Sequence, residues 1–211
     1  MKLEENKYYH IYHRGVNKAD IFFNPADYAL FLDKYLYYLY LSADTLAYCL
    51  IPNHFHAIIK IRPIEEQKRL FDFVQSTYPT ESFHGDVYHS FKPYKASVQM
   101  GHFLNSYTKL INNKYEREGL LFNGRFKRIE IDSEEYMSYL ICYIHRNPIH
   151  HGISNSYESY PYSSFCELFS DAKSFINRKA VFEVLGGKEN AKAAHDEVRL
   201  KIEDKYLLED I

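Results

Sequence analysis

Two apolar runs separated only by Pro52-Asn53 restrict this chain more than any other feature. TLAYCLI (45–51) and HFHAIIKI (54–61) are rich in β-branched and aromatic residues, and a two-residue break between them leaves room only for a tight turn. They therefore read as adjacent antiparallel strands. On either side the signals alternate. YYHIYHRGV (8–16) is strand-like up to Gly15, and PADYALFLDKYLYYLYLSA (25–43) starts with proline and carries apolar residues at helical spacing. From Arg62 to about Ser97 the mixed signals predict short helical pieces and a loop. QMGHFLNSYTKLINNKYEREG (99–119) reads as a long helix stopped by Gly119. GRFKRIEI (124–131) reads as a strand, and DSEEYMSYLICYIHRNP (132–148) as a helix capped by Asp132 or Ser133 and ended by Pro148. An order of strand, helix, strand, strand, helix, strand, helix implies an α+β chain: a ferredoxin-like antiparallel sheet with helices packed on one face. Residues 149–175 look irregular. NRKAVFEVLGG and ENAKAAHDEVRLKIEDKYLL add a small helical tail.

Composition excludes some classes. At 211 residues and 46% hydrophobic, the chain buries a core of its own. Cys49, Cys142 and Cys166 are odd in number and far apart, which suits reduced thiols better than a disulfide frame or zinc cluster. The opening MKLEENKYYH lacks a signal-peptide core, and no window approaches the ~20 apolar residues of a membrane span. A cytoplasmic protein is expected. A formal net charge of −2 leaves a nucleic-acid partner to be judged locally. Between Phe91 and Arg128, Lys92, Lys95, Lys109, Lys114, Arg117, Arg125, Lys127 and Arg128 stand against Glu116 and Glu118, a footprint for phosphates. Arg14, Asn17 and Lys18 follow the first strand and add further candidate contacts.

His54 and His56 are two apart in a strand, so they share a face while Phe55 points away. Two imidazoles suit a divalent metal but cannot complete its site. The same pattern also fits two partly exposed strand histidines bonded to neighbours. On the helix 133–147, Tyr136, Tyr139 and Tyr143 recur at helical spacing and Asn147 lies one turn beyond Tyr143. Asn147 is thus placed to offer an amide oxygen as third ligand, beside a phenol. With 21 tyrosines in the chain, position must single one out. For Tyr136 and Tyr139, core packing is the favoured reading. Because an unperturbed phenol has a pKa of ~10, attack by Tyr143 at neutral pH needs a metal or a base nearby.

IPNHFHAII resembles the His-hydrophobe-His motif of the HUH nucleases, and YIHRNPIHHGI (143–153) resembles the nucleophile helix of the single-tyrosine transposases of the insertion-sequence type, specifically their REP-associated branch. YYHIYHRGVNKADIFF (8–23), GLLFNGRFKRIEI (119–131) and YPYSSF (160–165) are similar to further segments of that branch. The resemblance covers roughly residues 8–165. It implies a transposase/nuclease domain over 1–165 and a helical extension over 166–211. It implies His54, His56 and Asn147 as ligands of magnesium or manganese, and Tyr143 as nucleophile. It also implies single-stranded and hairpin DNA as partners, and a 5′-phosphotyrosyl intermediate in cleavage and strand transfer. Candidate DNA contacts are Arg14, Asn17, Lys18, Lys109, Lys114, Arg125, Lys127 and Arg128. A single matching tyrosine sets the chain apart from two-tyrosine rolling-circle relatives. A nucleoid-associated monomer or homodimer is expected. The rival classes are a hairpin-binding protein without transposition activity and a metal-dependent nuclease that uses water.

Overall fold

The computed structural model describes residues 2–77 and 91–197. Along the chain run β1 (Tyr8–Arg14), a 3-10 turn (Val16–Lys18), α1 (Pro25–Leu39), β2 (Ala43–Ile51), β3 (His54–Ile61), α2 (Ile64–Thr77), α3 (Ala96–Lys114), β4 (Lys127–Ile131), α4 (Glu134–His150), α5 (Phe165–Phe169), α6 (Arg178–Val184) and α7 (Lys188–Glu197). The strands form one four-stranded antiparallel sheet ordered β2-β3-β1-β4. That order is ferredoxin-like, as the alternation of signals implies, and the α+β class and helical tail are present.

The described chain divides into two compact units. One holds α1, α2 and α3, and its centre is aromatic. Phe31 meets Phe103 edge-on at 4.8 Å and Tyr107 at 5.0 Å, and Phe22 stacks on Tyr28 at 4.2 Å. Many of the aromatic residues are thus packing material. α1 begins with a capping box: Asn24 Oδ1 accepts from Ala26 N–H, and Asp27 Oδ2 accepts from the Asn24 N–H. The fully buried Asp27 also accepts from Phe23 N–H, Tyr115 Oη–H and Lys114 Nζ. Burial alone would raise its pKa, but those donors, Lys114 foremost, hold it below the ordinary carboxylate value. Its stabilising contribution is complete above that ordinary value and is lost as pH falls through the depressed one. Asp27→Ala removes the reciprocal half of the capping box and leaves buried donors unanswered, so urea denaturation should show a loss of about 2–4 kcal/mol.

The other unit holds most of the sheet and α4 to α7. β1 pairs with β4 so that Tyr12 faces Lys127 and His10 faces Ile129. The outer edge of β2 is covered by the chain beyond α4, with Leu50 N–H bonded to Tyr162 O and Ser164 N–H to Tyr48 O. α4 is tied to α7 by His145 Nδ1, 2.7 Å from His195 Nε2, and the other His145 nitrogen meets Ser164 Oγ.

Several boundaries differ from expectation, each for a visible reason. α1 ends at Leu39 because the Ser42 N–H and hydroxyl both return to Leu39 O. Residues 64–77 form a continuous helix instead of short pieces; residues 78–90 lie outside those described. α3 stops before Gly119, since Glu116 takes positive φ and Arg117 N–H closes on Asn112 O. Ser133 is the cap of α4, and Pro148 does not end it. The stop is Gly152, at φ 64, whose N–H bonds to Ile149 O while Ile153 N–H bonds to Pro148 O. A proline in a last turn removes only one hydrogen bond, which the helix survives. The tail expected to run on to residue 208 is helical to Glu197; residues 198–211 lie outside those described.

Candidate active site

Two structures orient the histidine strand. Within the turn that joins β2 and β3, Asn53 O accepts from Gly15 N–H and Pro52 O from Ile21 N–H, so the loop after β1 clasps the turn. Gly15 is required there, because a Cβ would come within 1.9 Å of Ala19 O. Asn17 and Lys18, exposed on this loop, both take positive φ. The second structure is α4, which lies over the face of the sheet that carries His54 and His56. His56 meets the Tyr143 ring at 6.2 Å, nearly perpendicular, and His54 meets His151 at 4.7 Å.

Both strand histidines are buried, at 8% and 4% exposure. Partly exposed strand histidines are therefore not what the chain has. Burial, with His151 beside it, lowers the His54 pKa to about 3, partly opposed by the Asn147 amide. Burial and the neighbouring His10, His54 and His151 keep His56 well below the ordinary value. Both rings are neutral at physiological pH, the state a metal ligand requires. Their mutual contact is 5.0 Å between centroids, at 83°.

Asn147 is fully buried, and neither its Oδ1 nor its Nδ2 has a partner in hydrogen-bond geometry, although the amide is close enough to His54 to act on its pKa. Leaving such atoms unanswered costs about 1–3 kcal/mol each, so the residue invites a reason other than stability. Among the described residues no group of three or more His, Cys, Asp or Glu side chains is set to hold a metal ion. Asn147, whose amide acts on the His54 pKa, is an oxygen donor of another type beside the pair. The donor set fits a divalent ion.

Tyr143 is half-buried. Its ring stacks on His150 at 5.4 Å and on Tyr139 at 6.0 Å, forming a row of parallel rings along α4. Burial and Tyr143 push the Tyr139 phenol up to about 12. Of the basic candidates, Arg14 and Lys127 share the histidine face: Arg14 follows His10 and Tyr12 at alternate positions, and Lys127 is paired with Tyr12. Arg14 also lowers the His54 pKa. Arg125 is exposed and Arg128 lies over the Phe126 ring. Lys109 and Lys114 belong to the helical unit. Lys109 is exposed, whereas the Lys114 ammonium already answers Asp27.

Sequence reasoning passed over His10, Tyr12, His150 and His151. His10 and Tyr12 stack with His56, and alternation in YYHIYHR was the available signal. His150 lies two helical turns beyond Tyr143, a spacing that was equally available.

The fold has a solved counterpart. A structure described as a REP-associated tyrosine transposase bound to a REP hairpin matches with a TM-score of 0.58 at 13% identity, over 84% of this chain and 92% of that one. At that identity the likeness is one of fold. No family model matches the chain, and no curated protein does.

Proposed function

We propose that this protein cleaves and rejoins single-stranded DNA at hairpin-containing sites through a tyrosyl ester. The observation that carries the reading is the convergence, on one sheet face, of two neutral histidines, a buried amide beside His54 and a half-buried tyrosine. His54, His56 and Asn147 would hold a magnesium or manganese ion, which when bound withdraws charge from a phosphate oxygen. Tyr143 Oη then forms a bond to phosphorus as the bond from phosphorus to the 3′ oxygen breaks. The phenolic proton departs to solvent and the 3′ oxygen takes one up, leaving a 5′-phosphotyrosyl link and a 3′-hydroxyl. Because the ester retains the bond energy, a 3′-hydroxyl can attack it and rejoin the strand. Arg14 and Lys127, on the same face, orient the phosphates. Asn17, Lys18, Arg125, Arg128 and Lys109 supply outer contacts, while Lys114 serves the α1–α3 lock first. Residues 1–165 carry the chemistry and 166–211 extend it. A hairpin as recognition handle is supported by the likeness in fold to a transposase captured on one. Among the described residues no helix is long and apolar enough to cross a membrane.

Oligonucleotides with and without a paired cut site test the reading. Cleavage is expected only where the cut phosphate is single-stranded, since a helix-borne tyrosine reaches it only in a pliable strand. Equal cleavage of fully paired duplex would sink the proposal. Binding should weaken steeply with salt, and Arg14→Ala or Lys127→Ala should each reduce the slope of log affinity against log salt by about 0.7.

A further inference from the structure

A third histidine stands behind the pair. His10 on β1 is fully buried, its Nε2 lies 2.9 Å from His56 Nδ1, and the rings stack at 5.1 Å with 16° between planes. His54 has a different partner: its Nδ1 is 2.7 Å from Asn53 Oδ1, and the Asn53 amide is turned that way because Nδ2 donates to Lys18 O. An amide oxygen only accepts. His54 therefore carries its proton on Nδ1 and leaves the Nε2 lone pair for a ligand.

His56 has no such fixed instruction, because an imidazole donates or accepts. If His10 Nε2–H donates to His56 Nδ1, the proton of His56 sits on Nε2 and blocks it as a ligand. If His56 Nδ1–H donates to His10 Nε2, then His56 Nε2 is open and the proton of His10 is on Nδ1. That His10 Nδ1 is buried with no hydrogen-bond partner. The open arrangement thus buries an unanswered N–H, whereas the blocked one buries only an unanswered lone pair, which is less costly.

We propose that His10 is a positioning residue for His56 and that the pair works as a proton latch, blocked at rest and opened by ion binding. On opening, the shared proton crosses from His10 Nε2 to His56 Nδ1, one proton leaves His56 Nε2 and one is taken up at His10 Nδ1. Each ring stays neutral and no net proton is released. The inference rests on the reading of His54 and His56 as ligands.

Imidazole ¹⁵N NMR on metal-free protein gives the first test. His10 and His56 should both be protonated on Nε2, and His54 on Nδ1; His56 protonated on Nδ1 at rest overturns the latch. Calorimetric titration with Mn²⁺ gives the second. His10→Leu removes the partner and should weaken binding about 10- to 100-fold, as loss of a hydrogen-bond partner to a ligand does. His10→Gln offers an amide oxygen that accepts from His56 Nδ1–H with no proton to relocate, so it should bind at least as tightly as the natural protein. Unchanged Mn²⁺ affinity in a folded His10→Leu variant, or His10→Gln as weak as His10→Leu, overturns the positioning role. Failure of the metal reading is recognised separately, as absence of Mn²⁺ binding in the natural protein itself, while the NMR arm still decides the resting form.

Discussion

Tyr143→Phe is expected to abolish the covalent protein–DNA product and to lower cleavage on the order of 10⁴-fold or more, the scale of losing a nucleophile. Only the phenolic oxygen is removed. The ring keeps its stacking with Tyr139 and His150 and its edge contact with His56, so the fold should be unaltered by thermal unfolding. A single-stranded substrate labelled on the 3′ side of the cut supplies the readout, as a labelled protein band on a denaturing gel. Tyr139→Phe should keep that band, because burial and the Tyr143 neighbour push the Tyr139 phenol up to about 12. Tyr107 and Tyr115 are held back as well. Tyr107 is fully buried with its pKa raised by that burial, and the Tyr115 hydroxyl donates to Asp27 while accepting from Asn24. Cleavage without any protein-bound label would favour water as nucleophile, and binding with neither product would favour a hairpin-binding protein. An adduct mapped by peptide mass to Tyr136 or Tyr139 would keep the chemistry and move the nucleophile.

The order of elements along the chain was legible because period-2 and period-3.6 patterns alternate cleanly. β3 occupies the same residues as its apolar run, 54–61, since a two-residue turn fixes one end and Arg62-Pro63 the other. Helix ends were less legible. Gly119 and Pro148 look like stops, but the true closures at Glu116 and Gly152 depend on which carbonyls lie within reach of a backbone N–H. Proline in a final turn is tolerated, and Glu116 takes positive φ where Arg117 N–H closes on Asn112 O.

Much of the candidate site was readable for the same reason, since alternation places His54 with His56, and helical spacing places Tyr143 with Asn147. What alternation cannot give is the partner across the sheet. His10 is as periodic as His56, yet its 2.9 Å contact depends on β1 and β3 being neighbours in a four-strand order. Charge was misleading in one place. Lys114 reads as part of a basic stretch, but its ammonium lies 2.7 Å from a carboxylate distant in sequence. Conversely, the register of β1 with β4 singles out Lys127, which composition ranks no higher than its neighbours.

His54→Ala and His56→Ala should each remove activity in added magnesium or manganese while leaving hairpin affinity within a few-fold, because phosphate contacts come from basic side chains elsewhere. The natural protein should lose cleavage in chelator and regain it on adding either ion. Full cleavage by the double alanine variant in chelator would remove the metal from the mechanism. Asn147 separates function from stability more sharply. Its amide is buried with neither polar atom in good hydrogen-bond geometry and only His54 beside it, so Asn147→Leu, of similar volume, relieves a desolvation cost of about 1–3 kcal/mol. The variant is therefore expected to be as stable as the natural protein or more so by urea denaturation. At the same time it should need more metal for half-maximal cleavage, since water replaces a neutral oxygen ligand only in part. A purely structural asparagine would give the opposite pair of results, a less stable protein with an unchanged metal requirement. Residues kept against their own stability are those whose partner arrives from solution, and for Asn147 the titration of activity with ion, set beside the unfolding curve, decides whether that partner is a metal.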